Sequence, residues 1–313
     1  MITALCLNPS FDRTVEVDRM TVGGTNRIRS ARLDAGGKGI NVLRVCERLG
    51  GEARCVMLGG EENLPAFTAL LDREGLGERL LRRPVPGAIR TNTKIVSLDG
   101  APVTELNEAG PAADEAALLD IARLLRERTG PGDWTVCTGS LPPGCPAGTY
   151  AALMRELPGR CILDVGGREL MLGLAARPYL IKPNIDELRS AVGRELTGMD
   201  ETVAAARELM ALGAGNVLVS MGGDGALLVT PEGAWTAPAI PVKVSSTVGA
   251  GDAMVGGLLT RLSRGEALTE AFRYAVACGT ASVMTEGTQL VRPEDVEALL
   301  PRVTVGAYVE HVS

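Results

Sequence analysis

Asp252 is the residue that the surrounding sequence best equips to do chemistry. It follows the turn Ser245-Ser246-Thr247-Val248-Gly249-Ala250-Gly251 and precedes an apolar, helix-patterned run over 253–262. A helix that begins here leaves its first backbone N–H groups without intrahelical partners, and it favours an anion such as a phosphate. Gly249 and Gly251 would let a phosphate approach the backbone closely, and Asp252 could accept a proton from a hydroxyl group. The alternative is that Asp252 is only an N-cap after a tight turn.

A second glycine-rich turn, Gly36-Gly37-Lys38-Gly39-Ile40-Asn41, also leads into an amphipathic helix pattern. Three glycines, a lysine and an asparagine at a helix start predict a second site for an anion or for hydroxyl groups. The alternative is a glycine loop with a solvated Lys38. The spacing fits neither a P-loop nor the dinucleotide-binding pattern G-x-G-x-x-G.

Other polar residues come at the points where predicted strands end. Asp12 follows the first strand, Ser140 lies in the turn Gly139-Ser140-Leu141-Pro142-Pro143-Gly144, and Lys182 ends a later strand. Because open α/β sheets bind ligands at the carboxyl ends of their strands, these residues are candidates for a binding site. Asp12 could equally be a turn former after Pro9.

Three further features allow two interpretations each. Asn184 and Glu187 are three residues apart at a predicted helix start, so both could reach one hydrated Mg²⁺, or they could form a capping box. The turn Met221-Gly222-Gly223-Asp224-Gly225, after a strand that ends at Ser220, suits a nucleotide phosphate or a tight hairpin. Arg90, early in a predicted hairpin strand, could point at a substrate or at solvent.

The composition is that of an ordinary globular protein and excludes several classes of function. The chain has 313 residues and a net charge of −6 without a basic cluster, so we expect no nucleic-acid partner. No apolar run approaches the ~20 residues of a membrane span, and no signal peptide is recognisable, so we expect a soluble, cytoplasmic protein without a membrane partner. Seven isolated cysteines predict free thiols in a reducing compartment. His311, the only histidine, leaves histidine catalysis and histidine metal sites almost excluded.

Strand and helix patterns alternate along most of the chain. The predicted strands cover 2–7, 53–58, 134–138, 160–165, 179–182, 216–220, 226–230 and 240–245, and the predicted helices include 65–74, 112–128, 148–157, 266–284 and 293–300. This rhythm predicts an α/β fold with a doubly wound, mainly parallel sheet flanked by helices. A hairpin over 89–98 and 103–107 interrupts the rhythm. Together with extended segments over 14–32, it predicts a small β-sheet flap, or lid, made of residues 12–34 and 88–108.

Three of these motifs resemble, in order and spacing, those of the ribokinase/PfkB family of carbohydrate kinases. They are Gly36-Gly37-Lys38-Gly39-Ile40-Asn41-Val42, Asn184-Ile185-Asp186-Glu187 and Gly249-Ala250-Gly251-Asp252, with the predicted hairpin between the first two. The resemblance covers nearly the whole chain. It implies a single ribokinase-like domain over 1–313 with the lid segments inserted in it.

The resemblance also implies a role for each candidate residue in phosphoryl transfer from ATP with Mg²⁺. Asp252 would be the catalytic base, and Gly249, Ala250 and Gly251 would form the anion hole for the transferring phosphoryl group. The remaining candidates divide among three sites: nucleotide (Lys182, Asn184, Ser220, Gly222, Gly223, Gly225), magnesium (Asn184, Glu187) and acceptor (Asp12, Gly37, Lys38, Asn41, Arg90, Ser140).

The acceptor is predicted from residues that a neutral sugar would not need. Lys38, Arg90 and Ser140 resemble the residues with which the phosphosugar kinases of the family bind a phosphate already present on the sugar. Fructose 1-phosphate, converted to fructose 1,6-bisphosphate, is the favoured acceptor, and kinases for tagatose 6-phosphate and fructose 6-phosphate share these motifs. Many family members have aspartate where Ser246 stands, at a position that helps to hold K⁺. Serine is frequent in the phosphosugar branch, so activation by K⁺ stays open.

Two other functions remain alternatives at this stage. A non-catalytic sugar-phosphate sensor on the same fold would have no use for Asp252. A kinase for a neutral sugar or a nucleoside is disfavoured by Lys38 and Arg90 and by the low aromatic content of 3%. An exposed lid edge could also pair two copies of the chain into a homodimer.

Overall fold

The computed structural model describes residues 1–285 and 289–309, and a ten-stranded sheet organises most of them. His311 lies outside the described residues. The strands are β1 (Ile2–Cys6), β2 (Ser10–Val17), β3 (Ile28–Gly36), β4 (Ala53–Gly60), β5 (Leu80–Val85), β6 (Arg90–Ser97), β7 (Thr104–Asn107), β8 (Trp134–Thr138), β9 (Arg160–Asp164), β10 (Leu180–Ile181), β11 (Val217–Ser220), β12 (Ala226–Thr230), β13 (Gly233–Ala237) and β14 (Gly306–Tyr308). The helices are α1 (Lys38–Arg48), α2 (Leu64–Arg73), α3 (Glu115–Arg128), α4 (Thr149–Arg155), α5 (Gly167–Gly173), α6 (Ile185–Val192), α7 (Met199–Ala211), α8 (Ala250–Leu262), α9 (Leu268–Val283) and α10 (Pro293–Leu299).

The main sheet is parallel over most of its width. Its order is β14-β13-β12-β11-β10-β9-β8-β1-β4-β5, and every pairing from β5 across to β11 is parallel, whereas β12, β13 and β14 are added antiparallel at one edge. Parallel strands are covered on both faces, which is why most of these strands are rich in apolar residues. The prediction of a doubly wound α/β fold is confirmed.

Two apolar cores lie on the two faces of this sheet. On one face α1, α2, α8, α9 and α10 pack against side chains such as Ile2 and Met57. On the other face α3, α4, α5, α6 and α7 pack against alternate side chains of the same strands, such as Leu5 and Val56. All seven cysteines are free, and six of them are buried. The apolar cysteine positions therefore contribute to packing, as the sequence predicts.

One predicted strand is absent. The segment 240–245 has no strand pairing in the structure, although its alternating residues predict one. Pro238 and Pro241 have no N–H to donate to a neighbouring strand, which explains the difference. The segment is held instead by the N–H of Ser245, which donates to the carbonyl of Val283 at 2.7 Å.

A separate four-stranded sheet has the order β3-β2-β6-β7, and we call it the lid sheet. β2 pairs parallel with β6, while the outer pairs are antiparallel. One face carries Asp12, Asn92 and Asn107, which line a cleft above the main sheet. Successive residues of a strand point to opposite faces, so Leu33 of β3 and Leu106 of β7 lie on the other face of the sheet, where both are exposed. The lid sheet is therefore amphipathic.

Among residues 1–285 and 289–309, no helix has the length and apolar character that a membrane crossing requires.

Candidate active site

A cleft of about 1070 Å³ lies at the carboxyl ends of the parallel strands, between the main sheet and the lid sheet. It collects residues from all three family-like motifs. The predicted site residues that line it are Asp12, Gly37, Lys38, Asn41, Arg90, Lys182, Asn184, Glu187, Ser220, Gly222, Gly223, Gly225, Gly249, Ala250, Gly251 and Asp252. Ser140 is the one predicted site residue outside this lining, and it lies beside Arg90, whose Nη2 is 3.5 Å from the Ser140 hydroxyl.

Asp252 lies in the first turn of α8 and does not cap it. The N-cap is Gly249, whose backbone is left-handed at φ 79°. A side chain at this position would also collide with Leu290. The carboxylate of Asp252 accepts a hydrogen bond from Asn41 Nδ2 at 2.8 Å instead. The interpretation of Asp252 as an N-cap is therefore wrong. Because the first-turn N–H groups of Gly251 and Asp252 have no intrahelical acceptor, they are free to bind an anion.

Burial raises the pKa of Asp252 from 3.8 to about 6. Asp164 adds to the rise, whereas Lys38, Lys182 and the hydrogen bond from Asn41 work against it. A carboxylate with this pKa is ionised near neutral pH and is a better proton acceptor than an exposed aspartate.

Asp164 holds the two lysines of the cleft, and the sequence motifs do not include it. Its carboxylate is 3.0 Å from Lys182 Nζ and 3.6 Å from Lys38 Nζ, and it accepts a hydrogen bond from Thr138 at 2.9 Å. Burial alone would raise the pKa of Asp164, but Lys182, Lys38 and the Thr138 hydroxyl outweigh it and hold the pKa at about 2. The signal for this residue was available, because Asp164 ends β9 at the same edge of the sheet as the other candidates.

The two lysines lie near the start of α8 and Asp252. A Cβ built on Gly251 would be 3.1 Å from Lys182 Nζ, so the ammonium group is next to the start of α8. Lys38 is the first residue of α1, whose N-cap Gly37 has a φ of 111° and lies against the Sγ of Cys6. Asp164 raises the pKa of Lys38, and Lys38 is therefore a cation throughout the physiological range. The arrangement places two cations close to Asp252.

A group of polar side chains forms the opposite end of the cleft, at the root of the lid sheet. Asp12 accepts hydrogen bonds from Ser10 at 2.9 Å and from Asn92 at 3.4 Å. Arg90 Nη2 donates to the carbonyl of Asn8 at 3.2 Å, and its Nε is buried without a hydrogen-bond partner. The solvent interpretation of Arg90 is wrong, because its side chain lies between the lid and the turn at Ser140.

Asn8 joins the parts of this end and was missed as a site residue. Its Nδ2 donates to Ser140 Oγ at 3.2 Å and to the carbonyl of Ala109 at 3.1 Å, and its Oδ1 is buried without a partner. The string Asn8-Pro9-Ser10-Phe11-Asp12 after β1 resembles the phosphosugar kinases, but it gives Asn8 itself no role. Nothing in a local pattern indicates that its amide contacts residues more than 100 positions away.

The third part of the cleft is a slot with apolar walls. Ser220 ends β11, and Gly222 and Gly223 form the following turn. Gly225 has a φ of 93°, and a Cβ there would collide with the carbonyl of Ala237, so this glycine permits a close approach of two backbone segments. The apolar wall consists of Val242, Val244, Val276 and Val283. The irregular 240–245 segment therefore supplies a wall of the cleft instead of a strand.

Asn184 and Glu187 form a capping box at the start of α6. Asn184 Oδ1 accepts from the N–H of Glu187, and Glu187 Oε2 accepts from the N–H of Asn184, both at 2.8 Å. The capping-box interpretation is therefore confirmed. The second carboxylate oxygen of Glu187 takes no part in the capping box. Within the described residues no group of three histidine, cysteine, aspartate or glutamate side chains could hold a metal ion. A divalent ion at Asn184 and Glu187 would thus need water or phosphate oxygens to complete its coordination.

Comparisons with known proteins relate the chain to one family of kinases. The model of the pfkB family of carbohydrate kinases matches residues 6–295. The chain is 43% identical to the 1-phosphofructokinase of Rhodobacter capsulatus, and the match covers 97% of each chain. Phosphofructokinase-2 of Escherichia coli in complex with fructose-6-phosphate has a TM-score of 0.89 at 30% identity, over 96% of this chain and 98% of that one. The same enzyme in complex with potassium gives a TM-score of 0.90 at 32% identity, with the same shares of each chain covered.

Proposed function

Because the chain belongs to the pfkB family of carbohydrate kinases, we propose that it is an ATP-dependent 1-phosphofructokinase that converts fructose 1-phosphate to fructose 1,6-bisphosphate. The observation that carries the proposal is the position of a buried carboxylate, Asp252, between an anion-binding helix start and the cations Lys38 and Lys182. The family relatives named 1-phosphofructokinase support the choice of acceptor.

In the proposed reaction Asp252 accepts the proton of the sugar hydroxyl while that oxygen attacks the γ-phosphorus of ATP. The bond between the γ-phosphorus and the ADP oxygen breaks, and ADP leaves with the bonding electron pair. The N–H groups at the start of α8 bind the transferring phosphoryl group, and Lys182 stabilises its charge. Phosphoryl transfer depends mainly on positioning and charge stabilisation, so a carboxylate with a pKa of about 6 is a sufficient base.

The phosphate already on the acceptor would bind at the lid root. Arg90 presents a buried Nε without a partner and lies beside the Ser140 hydroxyl, and both can donate to phosphate oxygens. Asp12 and Asn41 would bind sugar hydroxyls closer to Asp252. The slot lined by Ser220, Gly222 and Gly223 would hold the nucleotide, and Mg²⁺ on the ATP phosphates would be held by Asn184 and Glu187 through water.

The predicted selectivity can be measured with an ADP-release assay on the wild type and the Arg90→Met variant. The acceptors are fructose 1-phosphate, fructose 6-phosphate, tagatose 6-phosphate and free fructose, with Mg-ATP and with either K⁺ or Na⁺ as the monovalent cation. We expect fructose 1-phosphate to be preferred by the wild type. Removal of Arg90 should lower kcat/KM for it by about 100-fold, because roughly 3 kcal/mol of charge-assisted hydrogen bonding is lost. Activity on free fructose should be unchanged.

The matched control is Arg82→Met, which removes an exposed arginine of β5 outside the cleft and should leave all rates unchanged. If Arg90→Met lowers the rates with fructose and with sugar phosphates equally, the assignment of Arg90 to the acceptor phosphate is wrong. If the wild type binds a sugar phosphate and ATP but releases no ADP, the sensor function replaces the kinase.

We also propose that the lid sheet closes over the acceptor and pairs two copies of the chain. Its inner face is polar, whereas its outer face exposes Leu33 and Leu106, the latter at 58%. An amphipathic sheet of this kind is stabilised when a second apolar surface covers it. The matching face of a second copy would do so through a twofold axis.

Size-exclusion chromatography with light scattering tests this pairing. We expect a dimer for the wild type and a monomer for the double variant Leu33→Glu/Leu106→Glu, because like charges would oppose each other across the axis. The control Leu119→Glu changes an exposed leucine of α3 and should stay dimeric. A monomeric wild type at micromolar concentration would remove the proposal.

A further inference from the structure

A chain of polar contacts runs from Asp252 through α1 to the end of α2. Asn41 Nδ2 donates to Asp252 Oδ2 at 2.8 Å, and Arg44 Nη1 donates to Asn41 Oδ1 at 2.9 Å. Arg44 in turn makes a bidentate ion pair with Glu74, at 2.5 and 2.9 Å. Asn41 and Arg44 are one turn apart on α1, which places both side chains on one face of the helix.

Arg44 determines which way the Asn41 amide points. A guanidinium group has five N–H donors and no acceptor, so it can contact only the oxygen of the amide. The NH₂ group of Asn41 must then face the other way, toward the carboxylate of Asp252. The reversed amide would place its oxygen against the Asp252 carboxylate, and its NH₂ group against the guanidinium of Arg44.

The guanidinium group of Arg44 is buried and donates hydrogen bonds to three different residues. Arg44 is only 2% exposed, and its Nη2 also donates to the carbonyl of Ala35 at 2.9 Å. Ala35 lies at the end of β3, next to Gly36, where a Cβ would collide with the carboxylate of Asp12. One side chain therefore ties together the root of the lid sheet, the end of α2 and the partner of Asp252.

We propose that Arg44 is a positioning residue for phosphoryl transfer, which acts by fixing the Asn41 amide so that it donates to the Asp252 carboxylate. The proposal rests on the proposed function, because it assigns Arg44 a role in proton acceptance by Asp252. It adds a residue that touches neither substrate in the cleft, since Arg44 is not part of the cleft lining.

The charged groups that face Asp252 give this contact a measurable signature. Lys38 on α1 and Lys182 after β10 favour the carboxylate, while Asp164 at the end of β9 disfavours it. The hydrogen bond from Asn41 lowers the pKa of Asp252. When the amide is free to rotate, that contribution is present only part of the time, so the pKa of Asp252 should rise.

The test is the pH dependence of kcat/KM for Arg44→Met between pH 5 and 9. The wild type should lose activity below about pH 6, where Asp252 becomes protonated. In the variant this acid limb should move to higher pH. For a rise of one pKa unit we expect a deficit of about fivefold at pH 6, which approaches tenfold at pH 5 and closes toward pH 8.5. The Arg44→Lys variant keeps the positive charge but lacks the planar guanidinium group, so its acid limb should move to higher pH as well. It provides a second test if Arg44→Met folds poorly.

The control is Arg83→Met, which breaks an arginine–aspartate pair with Asp120 away from the cleft. The Arg83→Met substitution should leave the pH of the acid limb unchanged. A substitution at Arg44 that acted only on stability would also leave it unchanged. A deficit of the Arg44 variants that is the same at every pH overturns the proposal. A carbon-13 NMR titration of the Asp252 carboxyl group reads its pKa without turnover. An unchanged pKa in the variants refutes the inference, whereas a wild type that fails to phosphorylate any sugar refutes the proposed function.

Discussion

The Asp252→Asn variant should lose catalysis by about 100- to 10,000-fold in kcat, the usual contribution of a general base. Asparagine has nearly the shape of aspartate and can still accept the hydrogen bond from Asn41 through its amide oxygen. The KM for ATP should change little, because the N–H groups proposed to bind the transferring phosphate belong to the backbone of α8, which the substitution leaves intact. Steady-state kinetics with fructose 1-phosphate and Mg-ATP measure both quantities.

The fold of this variant should not suffer, and the pKa of Asp252 gives the reason. Since the folded-state pKa is about 6 against an ordinary 3.8, the wild type loses stability as the pH rises through this interval, when a buried carboxyl group must ionise. The neutral asparagine removes that loss. Urea unfolding at pH 7.5 should therefore find the variant at least as stable as the wild type, and a large destabilisation would mean that Asp252 is structural.

The Asp164→Asn variant should show the largest loss of stability, about 3–5 kcal/mol at pH 7, because it breaks a buried ion pair from one side. Asp164 is 1% exposed, and Lys182, at 4%, would keep a buried ammonium group without its carboxylate. Lys38 would lose the same partner. Urea unfolding followed by circular dichroism measures the difference.

The pH dependence of that difference is also predicted. The folded-state pKa of Asp164 is about 2, below its ordinary 3.8, so the wild type has this stabilisation above about pH 4 and loses it as the pH falls toward 2. The gap between wild type and variant should narrow over the same interval. The control is Asp120→Asn, whose partner Arg83 is partly exposed, and it should cost at most about 1 kcal/mol. Equal losses in the two variants would contradict the special role of Asp164.

Much of the cleft could be predicted from local sequence because its residues occupy ends of elements. Gly37 and Gly249 mark helix starts through their left-handed backbone, and Ser220 marks a strand end. Asp12, predicted at the end of the first strand or in a turn, lies instead inside β2 of the lid sheet and reaches the cleft from there. Strand ends of a parallel sheet meet at one edge, so residues far apart in the sequence were expected to meet without any knowledge of side-chain contacts. The family resemblance then supplied roles that no local pattern contains.

The residues that were missed depend on long-range contacts instead. Asp164 ends β9 at the same edge of the sheet, but no motif surrounds it, and its importance comes from Lys38 of α1 and Lys182 after β10. In the sequence Arg44 is an ordinary helix residue. Its importance comes from its hydrogen bonds to Glu74 and Asn41, which only the structure shows. The 240–245 segment has the alternation of a strand, but Pro241 within it and Pro238 before it lack the N–H groups that pairing with a neighbouring strand requires.

The parallel pairing of β2 with β6 also affects how the molecule folds. It joins Ser10 to Arg90 and Val17 to Ser97, a separation of 80 residues in each case (90 − 10 and 97 − 17), and the connection passes through α1, β4, α2 and β5. Contacts between such distant positions form late, because closing a long loop costs entropy before any contact compensates for it. We therefore expect the acceptor end of the cleft at Arg90 to form late in folding, and a chain cut or extended within that connection to be disturbed there.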